Sequence, residues 1–328
     1  MDVKGKNPIR NNERADMRSI SNGARIFVGL SGGVDSAVSA ALLKNAGAAV
    51  TGVFIKGWYP PDMPCTWAAE RRDAMRVAAR LHIPFLTLDA GVEYKKSVID
   101  YLLAEYRAGR TPNPDVMCNR EVKFGAFYRF ALSHGADAIA TGHYRAGEKD
   151  QSYFLWAVPK EILASAIFPV GNREKKEVRA LAKRFNLPVA EKKDSQGICF
   201  LGSVSVKEFL RKELGDDNLA LLHTLGQRAS LPEGPWYVVG KDVRKKKILV
   251  SKTRTSTTRA IHFTDANWFS ESSGPLVAQC RYRGPRVTGT LEGNKFVSSG
   301  PLPEVYAPGQ SIVFYRGGEL VGGGIIAA

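Results

Sequence analysis

RIFVGLSGGVDSAVSAALLKNAG, residues 25–47, joins an apolar run to a helical pattern through a loop with three glycines, and its reading decides the fold. RIFVGL, residues 25–30, is apolar after its arginine and reads as a strand leading into the loop. After the loop, Val34, Ala37, Val38, Ala41 and Leu42 recur at helical spacing, and Gly47 supplies a stop. A strand that turns through glycines directly into a helix presents backbone N–H groups at the positive end of the helix dipole. Within the stretch Gly29, Leu30, Ser31, Gly32, Gly33, Val34, Asp35, Ser36, the backbone amides of Ser31, Gly32 and Gly33 therefore predict an anion nest, with phosphate as its natural ligand. No lysine follows the last glycine, so the loop is not a Walker A sequence, and no G-x-G-x-x-G is present. Such a loop suits the holding of a leaving pyrophosphate while the α-phosphorus is attacked, although a phosphate nest does not itself say which bond breaks.

Outward from this loop, strand-like and helix-like segments alternate. AAVTGVFIKG reads as a strand, AAERRDAMRVAARL as a helix, PFLTLDA as a strand and EYKKSVIDYLLAEYRAG as a longer helix. RTPNPDVMCN reads as loop because of its two prolines; EVKFGAFYRFALSHG is then a helix and DAIATGHY a strand. The order predicts an α/β fold, a doubly wound parallel sheet whose ligands sit at the carboxyl ends of the strands. Past Gly215 the texture changes to short β-rich pieces, from WYVVG and KKILVS to QSIVFYRGGELVGGGII, separated by Gly, Pro and Ser turns. These predict a small antiparallel β-barrel. The expected organisation is a basic lead-in over 1–24, a nucleotide domain over 25–214, a short central connector over 215–253 and a barrel over 254–328.

The chain has 328 residues, 44% of them apolar, which is enough for a sizeable core and excludes global disorder. Its 47 Lys and Arg against 32 Asp and Glu leave a net charge of +15, which favours a polyanionic partner, nucleic acid first. Eight basic residues lie between Lys241 and Arg259, and Arg281, Arg283 and Arg286 flank Tyr282, a composition suited to RNA phosphate and base stacking. No apolar run reaches the roughly 20 residues of a membrane span. With no hydrophobic signal core at the N-terminus, the expected location is the cytoplasm.

The four cysteines, at 65, 118, 199 and 280, are too scattered for a zinc ribbon and too few for a secreted disulfide scaffold. Cys65 and Cys280 read as small apolar residues. Cys118 follows Asp115 by three residues, ahead of a helix whose first turn can lower a thiol pKa, and Cys199 follows Lys192 and Lys193 in a polar stretch. Two activated thiols suit sulfur transfer. On residue types alone Asp115 can equally be a turn-capping residue, His143 a satisfied strand-end histidine, and Lys149, Asp150 and Gln151 a solvated turn.

Ser31 to Ser36, S-G-G-x-D-S after a strand, resembles the loop of the ATP pyrophosphatases, which adenylate a carbonyl oxygen and release pyrophosphate. GRTPNPDVMCNREVKFG at 109–125 and EKKDSQGICFLG at 191–202 are similar to the two cysteine motifs of the bacterial tRNA-specific 2-thiouridylases. The likeness extends through ATGHY at 140–144, KDQSYFL at 149–155, FPVG at 168–171, LGQR at 225–228, WYVVGKD at 236–242, RYRG at 281–284 and APGQSIVFY at 307–315. The resemblance implies ATP, with Mg2+, as cosubstrate and the anticodon stem-loop of tRNA as partner, with the wobble uridine flipped into the site. It implies Cys118 as nucleophile, Cys199 as bearer of a persulfide, a Cys118–Cys199 disulfide after transfer, and Asp115 as acid/base or orienting group. Ile55 and Gly142 would flank adenosine, with Gly29 to Ser36 on the phosphates. Asn113, Pro114 and Asp115 would face the target base, and His143, Lys149, Asp150, Gln151, Arg281, Tyr282 and Gln310 would touch tRNA. A sulfur carrier protein or cysteine desulfurase would load the persulfide. Some relatives have cysteine at the position of Asp115 and so a C-x-x-C suited to an iron-sulfur cluster; here Cys118 and Cys199, with Asp115 as an oxygen ligand, are what could hold one, and the cluster is second choice to the persulfide route. Two stretches, HYRAGEKDQS and LGDDNLALLHTLGQR, are shorter than in that family.

Overall fold

The computed structural model describes residues 20–60, 67–193, 206–215, 218–254, 256 and 258–328. They fall into two compact units, one of Met1–Ser97 with Met117–Ser203, the other of Val98–Val116 with Val204–Ala328.

The first unit is built on a parallel sheet. Strands β1 (Arg25–Gly29), β2 (Ala49–Lys56), β3 (Phe85–Asp89), β4 (Ala138–Ala140) and β5 (Ala166–Ile167) lie in the order β3-β2-β1-β4-β5. All four pairings are parallel. Helices α1 (Val34–Asn45) and α2 (Trp67–Leu81) follow β1 and β2 as crossovers, as right-handed βαβ connections require. The apolar positions expected at helical spacing in α1 are buried, Val34, Ala37, Val38 and Ala41 among them, and pack with Ile26, Val28 and Leu30 in one core. Strand order reverses between β1 and β4, which opens a crevice at their carboxyl ends, and the glycine loop lies there.

Helical structure resumes at α3 (Gly91–Tyr94), runs through a π-helical stretch, Lys95–Asp100, and ends in α4 (Tyr101–Arg107). The two-proline segment differs from its expected form. The loop closes at Asn113, for α5 (Pro114–Met117) is already helical and leads into a π-helical Cys118–Ala126 and α6 (Phe127–Ser133). Proline has no N–H to lose at the first position of a helix and its φ is preset for it, so Pro114 begins the helix instead of breaking one. The Asn113 side chain caps it, Oδ1 accepting from Val116 N at 3.4 Å. Further on come α7 (Lys160–Ala164) and α8 (Lys175–Arg184).

In the second unit, α9 (Val206–Leu214) and α10 (Leu219–Leu222) precede a three-stranded antiparallel sheet of β6 (Arg228–Ala229), β7 (Trp236–Asp242) and β8 (Lys247–Ser251). WYVVG and KKILVS, grouped by texture with the barrel, pair with each other in this sheet. The closed barrel contains β9 (Ala260–Trp268), β10 (Leu276–Gln279), β11 (Arg286–Glu292), β12 (Lys295–Ser298), β13 (Ser311–Arg316) and β14 (Glu319–Ile326), in the order β10-β11-β12-β9-β14-β13. Phe263, Phe296 and Phe314 fill its interior, with Trp268 stacked on Phe314 at 5.3 Å between centroids. Among the described residues no helix is long and apolar enough to cross a membrane.

Candidate active site

The loop is held by bonds among its own groups and by partners from far along the chain. Gly33 is the N-cap of α1 with an extended backbone (φ −97°, ψ 170°) and no side-chain cap, so backbone alone presents the first turn of the helix. Ser31 N donates to Ser36 Oγ at 3.2 Å, Gly33 N to Ser31 Oγ at 3.3 Å and Ser36 Oγ to Gly33 O at 3.3 Å. All three are long for hydrogen bonds and correspondingly weak. Gly32 has φ +72°, and a β-carbon there would overlap the Glu70 carbonyl oxygen on α2. A β-carbon at Gly142, just after β4, would lie 2.7 Å from Ser36 N, so the ATGHY segment reaches the head of α1 only as glycine. Ile55 borders Gly29, its Cδ1 lying 3.9 Å from where a β-carbon would stand. Leu30 and Val34 are buried in the sheet core and act through packing.

The charges at the loop were not foreseen from the sequence. Lys175 Nζ, at the start of α8, meets Asp35 Oδ1 at 2.7 Å and Oδ2 at 2.9 Å, and Tyr144 donates its hydroxyl to Asp35 Oδ1 at 2.7 Å. A lysine in the first turn of a helix faces the unfavourable end of the dipole, and Asp35 offsets that cost. Lys192 Nζ donates to Gly32 O at 3.0 Å and pairs with Asp73 Oδ2 at 2.7 Å. The loop that lacks its own lysine thus has two cations brought to it from other elements. FPVG and the KK of residues 192 and 193 flank this arrangement, but nothing local in the sequence ties them to Asp35 or Gly32.

Cys118 is fully buried at the head of the π-helical stretch. Its neighbour Asn119, also buried, donates Nδ2 to Phe154 O at 3.0 Å, fastening the cysteine segment to KDQSYFL, while its Oδ1 has no hydrogen-bond partner among the described residues. Nothing local to Asn119 signals this tie, because its partner lies 35 residues along the chain. Asp115 and Pro114 are partly buried, on the turn that Asn113 caps. Cys199 lies outside the described residues. Among the described residues no three of His, Cys, Asp and Glu converge on a metal site.

Several residues expected on a tRNA surface have structural partners. His143 is buried, with Nδ1 2.8 Å from Thr141 Oγ1 and its ring against Phe124 and Phe168. Burial, and then the charge of Lys123, holds its pKa well below 6.5. The unfolded chain binds the proton more readily than the folded one, so stability is full above about pH 6.5 and declines as the pH falls towards the folded value. Urea midpoints are expected to drop between about pH 7 and pH 5, and His143→Gln to flatten that slope. Asp150 Oδ1 accepts from Ser152 N at 2.8 Å and Gln151 Oε1 from Tyr144 N at 3.0 Å, which shapes the turn; Lys149 is partly exposed beside them.

In the second unit, Arg281 donates to the Leu225 carbonyl, joining RYRG to LGQR, and its Nε lies 3.5 Å from Glu304 Oε1. Glu304 is 2% exposed and has Arg254 at 3.8 Å as its second cation, so Arg281 is committed to a buried carboxylate. Tyr282 carries the Arg283 guanidinium 5.2 Å above its ring. Gln310 follows Gly309, beside which Thr111 N donates to Pro308 O at 2.8 Å, bringing the RTPNPD and APGQ segments together.

A glycine loop at the switch point of a five-stranded parallel sheet, ahead of a chain end closed into a six-stranded barrel, defines the nucleotide-loop class of ATP pyrophosphatases fused to a β-barrel. Residues 24–203 match the family model described as the tRNA methyl transferase HUP domain, and residues 258–326 that of the aminomethyltransferase beta-barrel domain. The chain is 40% identical to the tRNA-specific 2-thiouridylase MnmA of Streptococcus sanguinis (strain SK36), over 92% of this chain and 95% of that protein. It is 41% identical to the protein of that name from Akkermansia muciniphila, over 92% and 98%. It belongs to the tRNA-specific 2-thiouridylase family. The alignment with the streptococcal relative runs to 354 residues, longer than this chain, so the relative carries segments this chain lacks. Among solved structures it is similar to the U34-tRNA thiolase NcsA from Methanococcus maripaludis with its [4Fe-4S] cluster, at 16% identity and a TM-score of 0.40, covering 66% of this chain and 74% of that one.

Proposed function

We propose that this chain is an ATP-dependent sulfurtransferase that converts the wobble uridine of tRNA to 2-thiouridine in the cytoplasm. The observation that carries the reading is a phosphate loop at a sheet switch point in a chain that keeps its family's Cys118 motif, with Asn119 fastening that motif inside the same unit. Uracil C2 is a urea-like carbonyl that sulfur attacks slowly. Adenylation of its oxygen by ATP releases pyrophosphate and makes AMP the leaving group. Cys118 as thiolate attacks the inner sulfur of a persulfide on Cys199, which forms a Cys118–Cys199 disulfide and frees hydrosulfide. Hydrosulfide adds at C2, AMP departs, and a two-electron thiol reductant restores both cysteines.

In this reading Gly29 to Ser36 hold the phosphates, and Ile55 and Gly142 border the adenosine. Asn113, Pro114 and Asp115 face the base, with Asp115 as acid/base or orienting group. A magnesium ion would arrive on the nucleotide phosphates and need no protein cage. The persulfide route needs no iron-sulfur cluster, and no step here uses one. Tyr282 with Arg283, Lys149, and the basic residues from Arg244 to Arg259 contribute to the tRNA surface; Lys241, whose Nζ is buried, does not, and Arg281 supports that surface through Glu304. A persulfide-carrying protein loads Cys199.

The test is an unmodified tRNA transcript incubated with the purified chain, ATP, Mg2+, a sulfide or persulfide source and reductant. 2-Thiouridine is expected in equal amount with AMP and pyrophosphate. Formation of ADP and phosphate, or sulfur incorporation without ATP, would overturn the adenylation chemistry.

A further inference from the structure

The cation that touches the loop backbone is Lys192, 160 residues away from Gly32 in sequence. Its Nζ donates to Gly32 O at 3.0 Å and is itself fixed by Asp73 Oδ2 at 2.7 Å. A trans peptide is planar, so the Gly32 carbonyl and the Gly33 N–H point in opposite directions. Drawing the carbonyl onto Lys192 therefore turns the Gly33 N–H the other way, towards the Ser31 hydroxyl at 3.3 Å. Glycine tolerates either orientation of such a peptide at little steric cost. The sequence G-G at 32 and 33 thus permits the required plane without selecting it. Selection falls to what lies outside the loop. Asp73 is placed to serve this role, since its Cβ would be 3.2 Å from a β-carbon on Gly32 and so α2 abuts the same peptide.

We propose that Lys192 is a positioning residue for the phosphate chain of the nucleoside triphosphate. It sets the plane of the Gly32–Gly33 peptide, and Asp73 holds Lys192 in place. The role rests on the reading of residues 29–36 as a phosphate loop and is independent of tRNA and of sulfur chemistry. It also gives the cation against the loop backbone a role: the ammonium fixes the peptide plane, and with it the Gly33 N–H on the side of the Ser31 hydroxyl.

The measurement is calorimetric binding of a non-hydrolysable ATP analogue, α,β-methylene-ATP with Mg2+, to the full chain without tRNA. Lys192→Met keeps the length of the stem and removes the donor, and is expected to weaken binding about tenfold, the scale of one hydrogen bond from a charged group. Lys192→Arg should recover most of the loss. Asp73→Asn should weaken binding by a few-fold, and the double variant should be no worse than Lys192→Met alone, because the two act as one unit. In turnover the same variants should raise KM for ATP with little change in kcat, and tRNA retention on a filter without nucleotide should stay as in the parent. Should Lys192→Met fail to fold, Asp73→Asn, which preserves shape and the lysine, carries the test. Unchanged analogue affinity in the folded variants would overturn the proposal, as would a loss of tRNA affinity at constant nucleotide affinity, which would make Lys192 an RNA contact. If the parent protein does not thiolate tRNA, the proposed function falls while this binding result stands or fails by itself.

Discussion

Cys118→Ser is expected to slow 2-thiouridine formation by roughly a thousandfold or more, while ATP affinity stays within about twofold of the parent. The substitution exchanges one atom. Cys118 is fully buried at the head of a helical segment, so a hydroxyl of nearly the same size leaves the packing almost unchanged, but an alcohol cannot attack a persulfide and carry half of a disulfide. Single-turnover incubation with excess enzyme separates the two effects, and mass spectrometry without reductant should find a Cys118–Cys199 linkage in the parent alone. Cys280→Ser is the control. That thiol is buried in the barrel core, and burial pushes its pKa up, so it is inert and its loss should not touch the reaction. If Cys118→Ser kept more than about a tenth of the rate, sulfur would reach C2 directly from the Cys199 persulfide and Cys118 would not be the nucleophile that releases it.

Gly32→Ala is expected to weaken ATP binding about a hundredfold. Two costs add. The residue has φ +72°, where a side chain costs about 1–2 kcal/mol, and its β-carbon would overlap the Glu70 carbonyl oxygen, an overpacking cost of about 1–3 kcal/mol. A total of about 3 kcal/mol corresponds to roughly two orders of magnitude in affinity if the loop relieves the clash by changing its bound shape. Gly147→Ala separates strain from shape. Gly147 has the same φ of +72° but open space where the methyl would go, so stability should fall slightly and ATP affinity should hold. Nucleotide titration with thermal melts on both variants checks this; equal losses of affinity would mean that the Gly32 peptide does not contact the phosphates.

The parts of the site legible in the sequence are those written within a few residues. An apolar run, three glycines and a helical repeat specify strand, nest and helix because each depends on local backbone geometry. The Cys118 motif was legible as residue types, yet its secondary structure was not. The two prolines at 112 and 114 read as breakers, while the second starts a helix, and the difference lies in its position relative to the Asn113 cap. His143 shows the same gap. The resemblance gave it a tRNA contact while its residue type alone read as a satisfied strand-end histidine; Thr141, Phe124 and Phe168 enclose it, and the two aromatic partners come from other elements. WYVVG and KKILVS were legible as strands; alternation marks which face of a strand is buried and says nothing of which strand lies beside it.

By itself the sequence determined a parallel nucleotide fold with a phosphate nest, a β-rich C-terminal region and two cysteines set in motifs of a thiolating family. Only the tertiary structure decided which charges meet that nest: Lys175 on Asp35 and Lys192 on Gly32, across 140 and 160 residues. A nest of amides forms from neighbouring peptides and is encoded where it stands, whereas a counter-charge acts through space over a few ångströms, and the chain must close on itself before those ångströms exist.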